Sequence, residues 1–116
     1  MLLTRESILA AQDIKSEDVE VPEWGGSVRV RMMTGSERDG VLAKLVGAAD
    51  TGERGTRYRG ALLAACLVGE DGVALFGPDE LAHLGSKSAV ALDRVFKVAE
   101  RLNDASPAAV EGAEKN

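Results

Sequence analysis

The side chains that most often carry out chemistry in proteins are scarce in this chain. Cys66 is the only cysteine and His83 the only histidine, so the residues indicate neither a zinc site nor a Ser/His/Asp or Cys/His catalytic arrangement. The acidic pairs at 70–71 and 79–80 fall at predicted turns and helix starts, where capping explains them. No glycine pattern matches a phosphate-binding loop or a dinucleotide fingerprint. The sequence therefore favours a protein that is not an enzyme and needs no metal or cofactor.

Cys66 itself is expected to be a small buried hydrophobe, because it lies among Leu62, Leu63, Ala65 and Leu67. A single cysteine also excludes an intramolecular disulfide. His83 is expected to lie half-exposed on a short helix.

A β-hairpin is predicted near the N-terminus, with its turn at residues 23–26, because the double glycine at 25–26 supplies positive-φ positions. Asp18 and Glu20 on the first strand are expected to face Arg29 and Arg31 on the second. The apolar positions alternate with polar ones at period two on both strands; they are Val19, Val21, Val28, Val30 and Met32.

Five helices are predicted from apolar spacing and capping residues. A buried stripe is expected on the second, formed by Val41, Leu42, Leu45 and Val46. Residues 47–55, which contain three glycines, are predicted to be an exposed loop, and residues 73–76 a short extended piece. The helices are expected over about 4–12, from 34 or 36 to 46, and over 56–68, 78–84 and 86–103.

The expected fold class is thus α+β and predominantly helical, with an N-terminal β-hairpin packed against four to five helices. Residues 1–103 are expected to form a single domain. Residues 104–116 contain Pro107 and Gly112 and have no apolar period, which predicts a flexible, disordered C-terminal tail.

The last predicted helix is the strongest candidate for contact with another protein. Its apolar residues cover about half of its circumference, which is more than one neighbouring helix needs. Leu92, Val98 and Leu102 belong to this half, and Val90 stands alone on the polar side. Part of the apolar face is therefore expected to be available to a partner.

Trp24 has two interpretations. It is either a lid that folds over the apolar face of the hairpin or an exposed aromatic anchor of the kind enriched at protein interfaces. The neighbouring Arg29 and Arg31 are the charged candidates for the same contact surface.

The bulk composition describes one globular domain: 116 residues, 45% hydrophobic and 28% charged, with a net charge of −5. Residues 29–59 hold seven bases and four acids, but the acidic total argues against nucleic-acid binding. No run of eighteen apolar residues and no secretion signal occurs in the sequence, so we expect a soluble cytoplasmic protein without membrane contact.

Several short motifs, taken in order and spacing, resemble those of the tail assembly chaperones of long-tailed bacteriophages. They cover about residues 8–103. The first group is Ile8-Leu9-Ala10-Ala11, Val19-Glu20-Val21-Pro22-Glu23-Trp24-Gly25-Gly26 and Thr34-Gly35-Ser36-Glu37-Arg38-Asp39. The second is Leu67-Val68-Gly69-Glu70-Asp71-Gly72, Leu75-Phe76, Leu84-Gly85, Lys87-Ser88, Leu92-Asp93-Arg94-Val95-Phe96 and Arg101-Leu102-Asn103.

The resemblance implies a non-enzymatic protein of the host cell cytoplasm. In that family several copies assemble on the long tape measure protein, keep it soluble and promote polymerisation of the major tail protein around it. The chaperone is absent from the mature virion. The resemblance thus implies a homo-oligomer whose partner is the tape measure protein.

The resemblance also implies a longer product of ribosomal frameshifting, whose added domain contacts the major tail protein. The codons GAA-AAA-AAC would encode Glu114-Lys115-Asn116 and would contain a slippery A-rich heptamer. We hypothesise that this chain is the shorter, unshifted product.

The alternative is a structural head–tail connector or tail-completion protein. Such a protein would stay in the particle, so its presence in purified virions distinguishes it from a chaperone.

Overall fold

The computed structural model describes residues 1–77 and 80–103. Within these residues the chain forms five α-helices and a three-stranded antiparallel sheet. The predicted α+β class with an N-terminal hairpin is confirmed, and the tail predicted for 104–116 lies outside the described residues. The elements are α1 (Arg5–Ala10), β1 (Ser16–Val21), β2 (Gly26–Arg31), α2 (Gly35–Ala43), α3 (Thr51–Cys66), β3 (Leu67–Val68), α4 (Leu81–Gly85) and α5 (Ala89–Asn103).

The hairpin forms as its alternating pattern predicts, with Val19 opposite Val28. A single 3-10 turn, Pro22–Trp24, joins the strands. Gly25 follows with φ of 77°, a left-handed conformation that glycine adopts without steric cost. The turn thereby directs the chain back so that β2 can pair with β1.

The charged pairing across the hairpin is half as predicted. Asp18 lies opposite Arg29, but Glu20 lies opposite Ser27 and Arg31 lies opposite Ser16. The prediction that Glu20 faces Arg31 is wrong. The strands are antiparallel, so the residue two positions after Asp18 pairs with the residue two positions before Arg29, which is Ser27.

The third strand was not expected, because residues 67–68 were predicted to end a helix. Instead α3 ends at Cys66, and β3 follows at once, with Leu67 opposite Val30 of the central strand β2. Both β3 residues are buried. Their apolar side chains therefore pack in the core from an extended backbone instead of a helical one.

The loop predicted for 47–55 is wrong over residues 51–55, which form the first turns of α3. The Asp50 carboxylate accepts a hydrogen bond from the Glu53 amide at 2.8 Å, an N-cap of the kind that favours helix initiation. This cap, with acidic Glu53 in the first turn, offsets the low helix propensity of Gly52 and Gly55.

The second helix buries only half of its expected stripe. Thr34 caps α2 in a capping box with Glu37. Val41 and Leu45 are buried, whereas Leu42 is 43% and Val46 is 78% exposed. The helix ends at Ala43, so the turns that follow no longer hold residues 45–46 on one helical face.

The core lies between the sheet, α3 and α5. Its fully buried side chains come from all three elements, and α4 closes one side with Leu84. On α5 the buried row is Ala91, Val95 and Ala99, spaced by four residues as one face of a helix requires. The main members are Val21, Val30, Leu62, Cys66, Leu67, Val95 and Ala99.

Candidate protein-contact surfaces

Trp24 is partly buried and packs against the core of its own chain. This placement is the one that the lid interpretation describes. A second role for the indole as an anchor for another protein stays a prediction.

Arg29 and Arg31 both form ion pairs within the chain. Arg29 Nε donates to Asp18 Oδ1 at 2.8 Å across the exposed face of the hairpin. Arg31 donates to both carboxylate oxygens of Glu37, which lies in the first turn of α2. This hydrogen bonding lowers the pKa of Glu37 and raises that of Arg31. Arg29 therefore links the two strands of the hairpin, and Arg31 links the hairpin to α2.

Two further ion pairs attach the hairpin to α5. Arg94 donates to the Glu23 carboxylate through both terminal nitrogens, at 2.6 and 2.9 Å. Arg101 donates to Glu17 near the other end of the hairpin. Because the pairs sit seven residues apart on α5, they align that helix along the two strands.

The apolar face of α5 is mostly used inside the molecule. Leu92, Val98 and Leu102 are partly buried and pack against the core, together with Phe96. The apolar surface of α5 that remains available to a partner is therefore smaller than the sequence predicted, because α3 and the sheet cover this helix from two sides. Val90 is different, since 67% of its surface is exposed.

Val90 and Leu92 line an open groove between α3, α4 and α5, which we call the α3–α5 groove. The groove encloses about 1320 Å³. Its floor is apolar, with Leu63, Leu81 and Leu84 beside the two α5 residues. The described lining residues include five cations and one acid, Asp93. Three of the cations are ion-paired within the chain: Arg57 with Glu53, Arg94 with Glu23 and Lys97 with Asp93.

A second apolar surface lies on residues 1–15, which we call the N-terminal arm. Thr4 and Ser7 form a capping box at the start of α1, so this short helix is well defined locally. Every arm residue is nevertheless exposed and α1 buries no side chain. The exposed large apolar residues are Met1, Leu2, Leu3, Ile8, Leu9 and Ile14.

Cys66 is buried, as predicted, and its chemistry is suppressed. Burial raises the pKa of its thiol to about 11. The Asn103 amide donates to the sulfur at 3.4 Å and to the Ala99 carbonyl at 2.8 Å. Because the reactive form of cysteine is the thiolate, the thiol is inert at neutral pH.

His83 is exposed on α4, and no three potential metal-ligating side chains come together in the part of the chain that the structure describes. None of the helices in residues 1–77 and 80–103 is long and apolar enough to cross a bilayer.

Of the seven predicted contact residues, the structure brings Val90 and Leu92 together in the groove and directs the others inward or into ion pairs. Sequence reasoning missed the groove floor contributed by α3 and α4, and it missed the exposed arm. A signal for the groove existed in the small residues Gly60, Ala82 and Gly85, which line it. The exposure of the arm could have been predicted from its leucines, because no predicted element was expected to cover them.

Comparison with solved structures gives an informative likeness. No protein-family model matches the chain, and no curated protein does. Among solved structures, the chain resembles the tail assembly chaperone of bacteriophage HK97, with 22% sequence identity and a TM-score of 0.58. The likeness covers 84% of this chain and 94% of the other. The resemblance to phage tail assembly chaperones is therefore confirmed at the level of the fold.

Proposed function

We propose that this chain is a phage tail assembly chaperone that binds the tape measure protein and promotes assembly of the tail tube. The observation that carries the proposal is the fold shared with the HK97 chaperone over 84% of this chain and 94% of the other. The motif resemblance between residues 8 and 103 supports it independently of the structure.

The surface properties support a role in binding other polypeptides. The arm and the α3–α5 groove leave two apolar regions uncovered on a small protein, and such uncovered regions mark interaction sites. The net charge of −5 keeps a bound complex soluble through mutual repulsion. A protein that covers apolar stripes on a long partner needs this combination.

The proposal includes two further partners. Several copies of the chain associate with one another, and a longer frameshift product contacts the major tail protein. The chain acts in the host cell cytoplasm and leaves before the virion is complete.

Co-expression with the tape measure protein of the same phage tests the proposal. The tape measure protein is expected to precipitate alone and to co-purify in soluble form with this chain. An unrelated acidic protein of the same size is the control, because it reproduces the charge without the fold. A tape measure protein that stays insoluble in the presence of the chain would contradict the proposal.

Mass spectrometry of purified virions separates the chaperone from the connector alternative. A chaperone is expected to be missing from the particles and present in the infected-cell lysate. Detection at a fixed copy number per virion would instead support a connector. The frameshift hypothesis is tested by the gene itself, since it requires a slippery run at the codons for residues 114–116.

A further inference from the structure

Strand β1 lies at one edge of the sheet, because the strand order is β1-β2-β3. It is six residues long and pairs with β2 on one side. The Met32 amide donates to the Lys15 carbonyl at 2.9 Å, so Lys15 and every second residue after it direct their backbone groups towards β2. The N–H and C=O groups of Ser16, Asp18 and Glu20 therefore point to the other side, which we call the β1 edge.

The β1 edge is open within residues 1–77 and 80–103. In this part of the chain, the backbone groups of Ser16, Asp18 and Glu20 form no hydrogen bond with another element, and all three residues are exposed. Such an edge is a template for strand addition, in which an extended peptide continues the ladder. The opposite edge differs, because β3 has only two residues and its Leu67 carbonyl accepts from the Leu75 amide.

The solvent side of the β1 edge is acidic, since β1 carries three acids and no base. Asp18 on this side is paired with Arg29. Glu20 lies opposite the uncharged Ser27 and forms no ion pair with any residue that the structure describes. A cation on an added strand would therefore give Glu20 the cross-strand partner that β2 does not supply.

The core side of the β1 edge offers an apolar contact. Arg101 donates to Glu17 on β1, and Arg94 donates to Glu23 in the turn that follows β1. Val98 lies on the same face of α5 as the two arginines, because it follows one by four residues and precedes the other by three. This valine is only partly buried. An apolar side chain on a strand beside β1 would reach the flank of α5 that carries it.

We propose that the β1 edge binds an extended segment of another protein, in which lysine or arginine alternates with apolar residues. Strand β2 pairs with β1 in this way already, since it reads Val28-Arg29-Val30-Arg31. Its Val30 is buried in the core, while its Arg29 pairs with Asp18 on the solvent side. The inference goes beyond the proposed function, because it concerns a surface separate from the arm and the groove and requires no tape measure protein.

Charge argues against a second copy of this chain at the β1 edge. Antiparallel pairing of two β1 strands would bring the acids of both copies together, with no base on either strand. Like charges across a ladder are destabilising, and charged edges of this kind prevent identical edges from pairing. The same acids favour a cationic strand, so they select a different protein as the partner.

A synthetic peptide with the sequence of residues 26–33, Gly-Ser-Val-Arg-Val-Arg-Met-Met, is the probe. It is added to the full chain, and amide hydrogen exchange is followed by NMR. The amides of Ser16, Asp18 and Glu20 are expected to exchange rapidly in the free chain. At a peptide concentration of about ten times Kd they are expected to gain about tenfold protection. The intervening amides of β1 already donate to β2 and are expected to change little.

Two matched variants test the role of charge. Glu20→Lys reverses the charge at the β1 edge, and Glu70→Lys makes the same change just after β3, at the opposite edge of the sheet. Both glutamates are exposed, so the urea midpoints are expected to match the wild type. Glu20→Lys is expected to weaken peptide binding about threefold to thirtyfold, and Glu70→Lys is expected to leave it nearly unchanged.

A control peptide has both arginines replaced by glutamate, which keeps the alternation and reverses the charge. It is expected to bind more weakly than the arginine peptide, by at least the factor that Glu20→Lys produces. This comparison separates a specific cationic strand from any extended apolar peptide.

Three results would overturn the proposal: no selective protection of the three edge amides, equal weakening by Glu20→Lys and Glu70→Lys, or equal binding of the two peptides. Edge amides that become protected in the free chain as its concentration rises would also overturn it, because a second copy would then be the occupant. The tape measure co-expression test is unaffected by failure here, since it does not depend on the β1 edge.

Discussion

Two helices of this chain, α5 and α1, carry apolar side chains of the same kind, but the chain covers most of those on α5 and buries none of those on α1. On α5, Val95 and Ala99 are completely buried between α3 and the sheet. On α1, Ile8 and Leu9 are more than half exposed. Hydrophobic burial stabilises an isolated chain only where that chain supplies the covering surface. The comparison therefore separates residues that hold the fold together from residues available to another chain.

The largest expected difference between the two regions comes from truncating one leucine in each. Leu62→Ala removes a fully buried side chain from the centre of the core and is expected to lower the free energy of unfolding by about 2–5 kcal/mol. Leu9→Ala is expected to lower it by less than about 0.5 kcal/mol. Urea denaturation of both variants measures the two effects. Equal losses would show that the arm belongs to the folded core.

Substitution of Asn103 tests how much its hydrogen bonds at the end of α5 contribute to stability. Its Oδ1 accepts a hydrogen bond from the Met33 amide at 2.6 Å, while its Nδ2 donates to Ala99 and Cys66. Asn103→Ala leaves a partly buried amide without its acceptor and is expected to cost about 1–3 kcal/mol. Thermal unfolding measured by circular dichroism checks this, and a wild-type melting temperature would contradict it.

The pair between Arg31 and Glu37 should give the packed region a defined pH dependence. The pKa of Glu37 is lowered chiefly by its hydrogen bonds with Arg31. A carboxyl with a lowered pKa stabilises the fold above its ordinary pKa of about 4.3, and this contribution is lost as pH falls through the lowered value. Glu37→Gln is expected to cost about 1 kcal/mol at pH 7.

The matching measurement is the stability of wild type and Glu37→Gln across the acid range. The difference between them is expected to shrink towards zero as the glutamate becomes protonated. A difference that stays constant down to pH 3 would show that the Arg31 pair does not carry the effect.

The smallest expected effect within the packed region belongs to the pair between Glu23 and Arg94. Both side chains are more than a third exposed, so solvent and salt screen their attraction. Glu23→Gln is expected to reduce stability slightly in low salt and not at all in 1 M sodium chloride. A loss that persists in high salt would mean that the turn depends on this contact for more than its charge.

The features that sequence predicted well are those that neighbouring residues determine. Alternating valines and Gly25 were enough for the hairpin, and Thr34 or Ser36 was predicted to start α2, of which Thr34 is the cap. Residues 51–55 were assigned to a loop because of their glycines, although Asp50 is a residue type that caps the start of a helix. The cap is a local signal too, but its strength appears only when its hydrogen bond to Glu53 is formed.

The features that sequence could not predict depend on distant parts of the chain. Leu67 and Val68 continue the apolar pattern of α3, and they form a strand because the edge of β2 is available to pair with them. Periodicity also showed that α5 has a wide apolar face, but not that two layers would cover it. For α1, apolar spacing and capping residues predicted the helix without indicating that its apolar side chains stay exposed.

Hydrogen exchange of the chain in dilute solution tests the difference between the two regions most directly. The amides of α1, which buries no side chain, are expected to exchange nearly as fast as in an unfolded peptide, while those of α3 and α5 are protected. Protection of α1 as strong as that of α5 would contradict the account.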